Sequence, residues 1–267
     1  MVGILSSSTS HSFSGARVST ETCPTVRMDQ TDSDVSAIPI WDEGQQPSCY
    51  VYSSSFLATM WIRKFWKVQD PALSSFVADP YSNFEGVLAD PDKDQILDAE
   101  NGRTCMSLAW ELRTYQKIFS AQTSSSTEFP FPKCDMFGLL RSPDHETLRT
   151  PGEIKAQMQV LLGAKTPFPF AIEYCSGVLD GRQNLITNRV FDKTLTYLNS
   201  DQSIRNFSAD CGFHVSVIVG QEKRDDHCEI LIRNSWGREA GDNGYYWVDA
   251  DALSANTLRV VSLQQVP

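Results

Sequence analysis

The sequence predicts an α+β protein of two lobes. Three observations carry this. Apolar residues recur at three- and four-residue intervals in the first half, short apolar runs with alternation dominate the second half, and the helical segments come before the strands instead of alternating with them. That order separates the fold from a parallel α/β sheet. No internal repeat is present.

Residues 1–37 are rich in Ser, Thr and Asp with few large apolar side chains, so they read as a mobile or loosely docked leader that cannot offset its own ordering entropy. The character changes at Ile38, where Pro39 and Trp41 begin an apolar patch and the polar loop Asp42 to Ser48 follows. From Cys49 to Trp66 the residues Phe56, Leu57, Met60, Trp61 and Phe65 keep helical spacing, which places Cys49 at a helix amino terminus. A second helix is expected over Cys105 to Phe119, with Leu108, Leu112, Tyr115 and Phe119 on one face. The Ser- and Pro-rich stretch Ala121 to Lys133 reads as a connector. Thr150, Pro151, Glu153 and Gly163 supply the cap, first-turn proline, capping box and stop of a third helix. Strands are expected over Phe170 to Tyr174, His214 to Val219, Cys228 to Arg233 and Tyr245 to Val248. The chain therefore divides into a leader over 1–37, a helical lobe over 38–149 and a β-rich lobe over 150–267.

Composition excludes several functions. With 23 Lys and Arg against 33 Asp and Glu, the net charge of −10 repels nucleic acid and anionic lipid, so neither is expected as a partner. No apolar run approaches the roughly 20 residues that span a bilayer, and Met1 to Thr20 lacks the continuous apolar core of a signal peptide. The seven cysteines contain no CxxC pair, and only four histidines accompany them, so the spacing of a structural zinc site is absent and no metal or cofactor is expected. An odd cysteine count leaves at least one thiol free beside up to three disulfides, a content compatible with secretion. Cys211 and Cys228 flank two consecutive strands; a disulfide between them and a pair of buried thiols both fit.

One set of residues points to chemistry. A nucleophilic cysteine works as its thiolate, which a helix amino terminus and a nearby imidazolium both favour. Cys49 has the first, and a histidine from a distant strand must supply the second. His11 lies in the leader, and His145 and His227 lie in polar loops, which leaves His214 at the head of an apolar strand. An imidazole acting as a base must be held in one orientation, and Asn234, ending the strand Ile230 to Arg233, offers an amide for that. Taken singly, Cys49 and His214 would pass for ordinary core residues and Asn234 for a strand end.

The surrounding motifs change that weighting. Cys211-Gly212-Phe213-His214-Val215, then Arg233-Asn234-Ser235-Trp236-Gly237 and Gly241-Asp242-Asn243-Gly244-Tyr245, resemble the histidine and asparagine motifs of the papain family of cysteine peptidases. Upstream, Asp42-Glu43-Gly44-Gln45-Gln46-Pro47-Ser48-Cys49 is similar to that family's nucleophile loop. The resemblance covers roughly residues 38–66 and 150–250, and residues 67–149 have no match. It implies a helical lobe carrying the nucleophile Cys49, a β-rich, barrel-like lobe carrying the base His214 and its orienting Asn234, and a cleft between them for a protein or peptide substrate.

Departures from the pattern matter. The glutamine expected six residues before the cysteine is Glu43, and an ionised carboxylate has no proton to give an oxyanion. Protonated Glu43, Gln45, Gln46 and backbone NH groups all stay open as oxyanion donors. Pro47, Tyr50 and Ala240 also replace usual residues, which should alter the cleft wall more than the chemistry. The 48 residues before Cys49 are too few for the family's long helical propeptide. Peptide-bond hydrolysis is the leading expectation. A deamidase or transglutaminase-type reaction on one protein, and a silent papain-like binding domain, are the alternatives.

Overall fold

The protein is seen as a computed structural model that describes residues 23–91, 93, 103–123, 129–138, 150–175, 213–224 and 226–265. Cys211, His11, His145 and residues 124–128 of the expected connector lie outside these residues, while the ends of that connector belong to the helix that runs to Thr123 and the strand that starts at Pro132. In chain order the elements are β1 (Val26–Arg27), α1 (Met28–Thr31), α2 (Ser33–Ala37), α3 (Cys49–Phe65), α4 (Pro80–Ala89), α5 (Arg103–Thr123), β2 (Pro132–Gly138), α6 (Pro151–Leu162), β3 (Phe170–Cys175), β4 (Phe213–Arg224), β5 (His227–Arg233), β6 (Tyr245–Asp249), α7 (Ala250–Asn256) and β7 (Thr257–Gln265).

Helix α3 is the centre of the helical half. Its residues from Cys49 to Arg63 are all buried, so the helix is enclosed on every face and not only along the expected apolar stripe. Enclosure on the polar side requires partners, and it has them: the Ser53 hydroxyl donates to the Val215 carbonyl at 3.2 Å, while Ser54 and Ser55 donate to the buried carboxyl of Glu111 on α5 at 2.6 and 2.9 Å. The capping signals over 150–163 act as expected. The Glu153 NH donates to Thr150 Oγ1 at 3.3 Å, Glu153 Oε2 accepts from the Thr150 NH at 2.7 Å, and Gly163 ends α6.

The strands form one antiparallel sheet in the order β2-β7-β3-β4-β5-β6, with β1 added on β4. Among the described residues no pairing joins β2 to β6, so the sheet is open where the sequence resemblance implied a barrel-like lobe. Helix α3 packs against β3 and β4, and α6 against α7 and β7. The buried apolar side chains form one continuous cluster that runs from α3, α5 and α6 into the sheet. No described helix is long and apolar enough to cross a membrane.

Two expectations are corrected. Residues 23–37 are docked, not loose: Val26 and Arg27 pair with Gln221 and Gly220, Met28 and Val35 are buried, and Cys23 is bridged to Cys228. The apolar residues here are few, but Met28 and Val35 are fully inward and Val26 is partly so, and the disulfide removes part of the ordering cost. That bridge also rules out a Cys211–Cys228 disulfide. Cys228 pairs with Lys223, ten residues along β4 from Phe213 where the strand begins, roughly 33 Å at the rise of a strand. A second disulfide, Cys105–Cys134, ties α5 to β2, and Cys175 is bridged as well. Cys49 is the free cysteine among the described residues.

Candidate active site

Cys49 stands at the first residue of α3, 7% exposed, beside backbone groups of Val215 and Tyr50 that favour its thiolate. Val215 follows His214 on β4, so the helix start and the strand that carries the histidine meet at the thiol.

His214 is buried, and its Nε2 lies 2.7 Å from Asn234 Oδ1. The same oxygen accepts from the Ser235 backbone NH at 2.9 Å and from Ser216 Oγ at 3.1 Å. A backbone NH only donates, so the amide atom facing it must be the oxygen, and the imidazole nitrogen facing that oxygen must carry a hydrogen. His214 is therefore the Nε2–H tautomer when neutral, and its Nδ1 carries the free lone pair. The Trp236 indole packs on the imidazole with centroids 4.7 Å apart, and the ring of Tyr174 meets it edge-on at 5.7 Å.

Asn234 owes its place to two turns. Its NH donates to the Gly244 carbonyl at 2.9 Å, joining the turn after β5 to the one before β6. Gly237 has φ +78°, and a Cβ there would sit 3.2 Å from the Asp42 carboxylate, so the close approach of the two loops requires glycine. The Gly237 NH donates to the Trp41 carbonyl and the Glu43 NH to the Ser235 carbonyl, at 2.9 and 2.8 Å. Beneath them the buried Arg233 guanidinium donates to the carbonyls of Ile38 and Pro39 and, at 3.0 Å, to the Tyr245 hydroxyl.

This strapping carries Glu43 into the site. Its Oε1 accepts from Trp236 Nε1 at 3.0 Å and lies 3.9 Å from His214 Nδ1, while its Oε2 accepts from Ser235 Oγ at 3.1 Å. Gln45 and Gln46, the other two side-chain candidates, are exposed on the loop. Burial pushes the Glu43 carboxyl up to about 7 against the pull of its two hydrogen bonds. Burial first, and the nearby Glu43 charge second, push the Cys49 thiol up to about 12. Burial also lowers the His214 imidazole to about 4, opposed by Asn234. At neutral pH the resting site thus holds a neutral thiol, a neutral imidazole and a half-protonated carboxyl.

The structure brings His214, Asn234 and Glu43 into contact and sets Cys49 at the helix start beside Val215, within reach of the Glu43 charge. Sequence reasoning passed over Ser216 and Tyr174, which extend the hydrogen bonding behind Asn234; Ser216 had a usable signal, since it lies two residues from His214 on the same strand face. Among the described residues no group of three His, Cys, Asp or Glu side chains is placed to hold a metal ion.

No family model matches the chain, and no curated protein is similar to it in sequence. Among solved structures, the chain is similar to digestive procathepsin L 3 of the Tenebrio molitor larval midgut, with 13% identity and a TM-score of 0.42 over 92% of this chain and 71% of that one. It is also similar to procathepsin B S9 from Trypanosoma congolense, with 11% identity and a TM-score of 0.46 over 93% of this chain and 80% of that one. Both likenesses are distant.

Proposed function

We propose that this chain is a cysteine-type peptidase that hydrolyses peptide bonds through an acyl-enzyme on Cys49. The observation that carries the reading is the fixed imidazole: Asn234 Oδ1 holds His214 Nε2–H, which leaves the basic Nδ1 free and turned toward Glu43. In this reading residues 38–149 and 150–267 serve as two lobes, with the start of α3, the start of β4 and the β5–β6 turn supplying the reacting groups.

The thiol is neutral at rest, so attack and deprotonation go together. The Cys49 sulfur bonds to the scissile carbonyl carbon as its proton passes to His214 Nδ1. The oxyanion collapses, the C–N bond breaks and the imidazolium returns that proton to the leaving amine. Water then attacks the thioester, giving one proton to His214 and leaving a carboxylic acid, and the proton returns to the sulfur. Asn234 keeps its hydrogen bond to Nε2–H throughout, and protonated Glu43 is the side-chain donor nearest the oxyanion.

Burial of the thiol and its rise to about 12 favour one competing reading, a catalytically silent binding domain. An epoxysuccinyl or iodoacetamide probe with peptide mapping separates the two. The peptidase reading expects stoichiometric labelling of Cys49 and loss of peptide cleavage, both abolished by Cys49→Ala. An unlabelled Cys49 with no cleavage of an unfolded protein would sink it. Mass spectrometry of the products distinguishes hydrolysis at the main chain from deamidation of glutamine side chains.

A further inference from the structure

Behind Asn234 lies a polar chain that the reaction steps above do not use. Tyr174 on β3 is paired opposite His214 on β4, and Ser216 is two residues further along β4 on the same face. Both are buried, Tyr174 completely and Ser216 at 1% exposure. Their hydroxyls are 3.0 Å apart, and Ser216 Oγ is 3.1 Å from Asn234 Oδ1.

The direction of the protons follows from the end of the chain. Asn234 Oδ1 only accepts, so Ser216 gives its one proton there, and Tyr174 must then donate to Ser216. A donor that is itself polarised by another hydroxyl makes a stronger bond. The amide nitrogen of Asn234 is buried without a hydrogen-bond partner among the described residues, so the orientation of the amide is decided on its oxygen alone. A half-turn of the amide would set its NH2 against three donors: the Ser235 NH, the Ser216 hydroxyl and the imidazole Nε2–H.

We propose that Tyr174 and Ser216 are positioning residues that act through Asn234, locking its oxygen toward His214 and so keeping the imidazole in the Nε2–H tautomer with Nδ1 as the base. The proposal rests on the reading of His214 as the base, but the tautomer belongs to the resting protein and is measured without turnover. It also assigns the two strands a role beyond packing: the β3–β4 register sets the ring of Tyr174 where its hydroxyl reaches Ser216.

The test is nitrogen NMR on protein labelled with 15N histidine at pH 7, with the His214 signals assigned by their loss in His214→Gln. The parent should show the Nε2–H tautomer alone. Ser216→Ala should show a mixture with the Nδ1–H form, Tyr174→Phe a smaller shift in the same direction, and Ser216→Thr, which restores a hydroxyl, the parental pattern. Tyr174→Phe keeps the ring, so it serves as the conservative arm if Ser216→Ala folds poorly. In kinetics Ser216→Ala should lower kcat roughly three- to tenfold, the scale of one hydrogen bond, with KM unchanged. Parental nitrogen shifts in both Ser216→Ala and Tyr174→Phe overturn the proposal, as does an Nδ1–H tautomer in the parent. A parent without peptidase activity overturns the functional reading only, and the nitrogen shifts still decide this one.

Discussion

Glu43→Gln is the most informative single change, because the carboxyl is the one group of the site whose two protonation states make opposite contributions. Protonated, it donates to an oxyanion; ionised, it repels one and holds the Cys49 thiol up. Glutamine has the same shape, keeps an oxygen for the Trp236 indole and has an NH2 for Ser235 Oγ in the place of Oε2. With the carboxyl at about 7, roughly 90% is protonated at pH 6 and roughly 10% at pH 8. If the protonated form is the active one, kcat/KM of the parent falls about ninefold between those pH values, because that parameter reports the free enzyme. Glu43→Gln removes this limb, so its advantage over the parent grows to about tenfold at pH 8 and nearly vanishes at pH 6. Both proteins keep an acid limb near the lowered His214 value of about 4, where the base becomes protonated, and this serves as the internal control.

The assay is steady-state hydrolysis of a quenched fluorogenic peptide from about pH 3 to about pH 9 at constant ionic strength, a range that spans both limbs. Superimposable profiles would show that Glu43 does not titrate in the reaction, and the donor would then come from Gln45, Gln46 or backbone NH groups. A variant slower than the parent at every pH would reverse the assignment: the carboxylate would be serving as a counter-ion to the His214 imidazolium across the 3.9 Å that separates Glu43 Oε1 from Nδ1.

Other expectations follow from the same geometry. His214→Ala should abolish hydrolysis as fully as Cys49→Ala, while Asn234→Ala, which removes orientation and leaves the proton acceptor, should be milder; equal losses in single-turnover rates would contradict that division. Glu111, fully buried among Ser54, Ser55, Ser107 and Asn83, has its carboxyl raised to about 8, so the folded protein binds a proton there that the unfolded chain has released. Its contribution is therefore most favourable below about 4.5 and is lost progressively up to about 8, and Glu111→Gln should gain a few kcal/mol in urea unfolding at pH 8 relative to pH 5. Replacing Cys23 and Cys228 together by Ser frees the segment that carries β1 and should cost about 2–4 kcal/mol in the same unfolding assay.

The elements that were legible in the sequence are those whose signal is local. The capping box of α6, the helical spacing from Cys49 to Phe65 and the strands β3 to β6 each fit within a window of a dozen residues, and each lies within a few residues of its expected bounds. Strand β7 was not read because it has no alternation to read. It lies between β2 and β3 and its residues from Thr257 to Ser262 are all buried, but Thr257, Arg259 and Ser262 interrupt the apolar residues, so neither a continuous run nor a period of two appears; Arg259 is accommodated by an ion pair with buried Glu173 on β3. Strand β2 begins at Pro132 and ends at Gly138, a composition that argues against a strand until the edge position is known, where a missing NH costs no ladder bond.

The site divides along the same line. Cys49, His214 and Asn234 were singled out because each sits in a contiguous motif, and Glu43 as a break in one. Which of Glu43, Gln45 and Gln46 faces the reacting atoms was not decidable from the loop alone, since it depends on the bonds from Trp41, Asp42 and Glu43 to the Ser235–Gly237 turn, residues nearly 200 positions away. Arg233 shows why that pairing is stable. Two carbonyls of the segment before the loop, Ile38 and Pro39, converge on one buried guanidinium, and a guanidinium at 4% exposure without them would be left with unmet donors. The strap thus satisfies a charge that the sheet cannot satisfy alone. Once Ile38 and Pro39 are held there, the four residues to Glu43 leave its carboxyl little choice but to lie against Trp236 and His214.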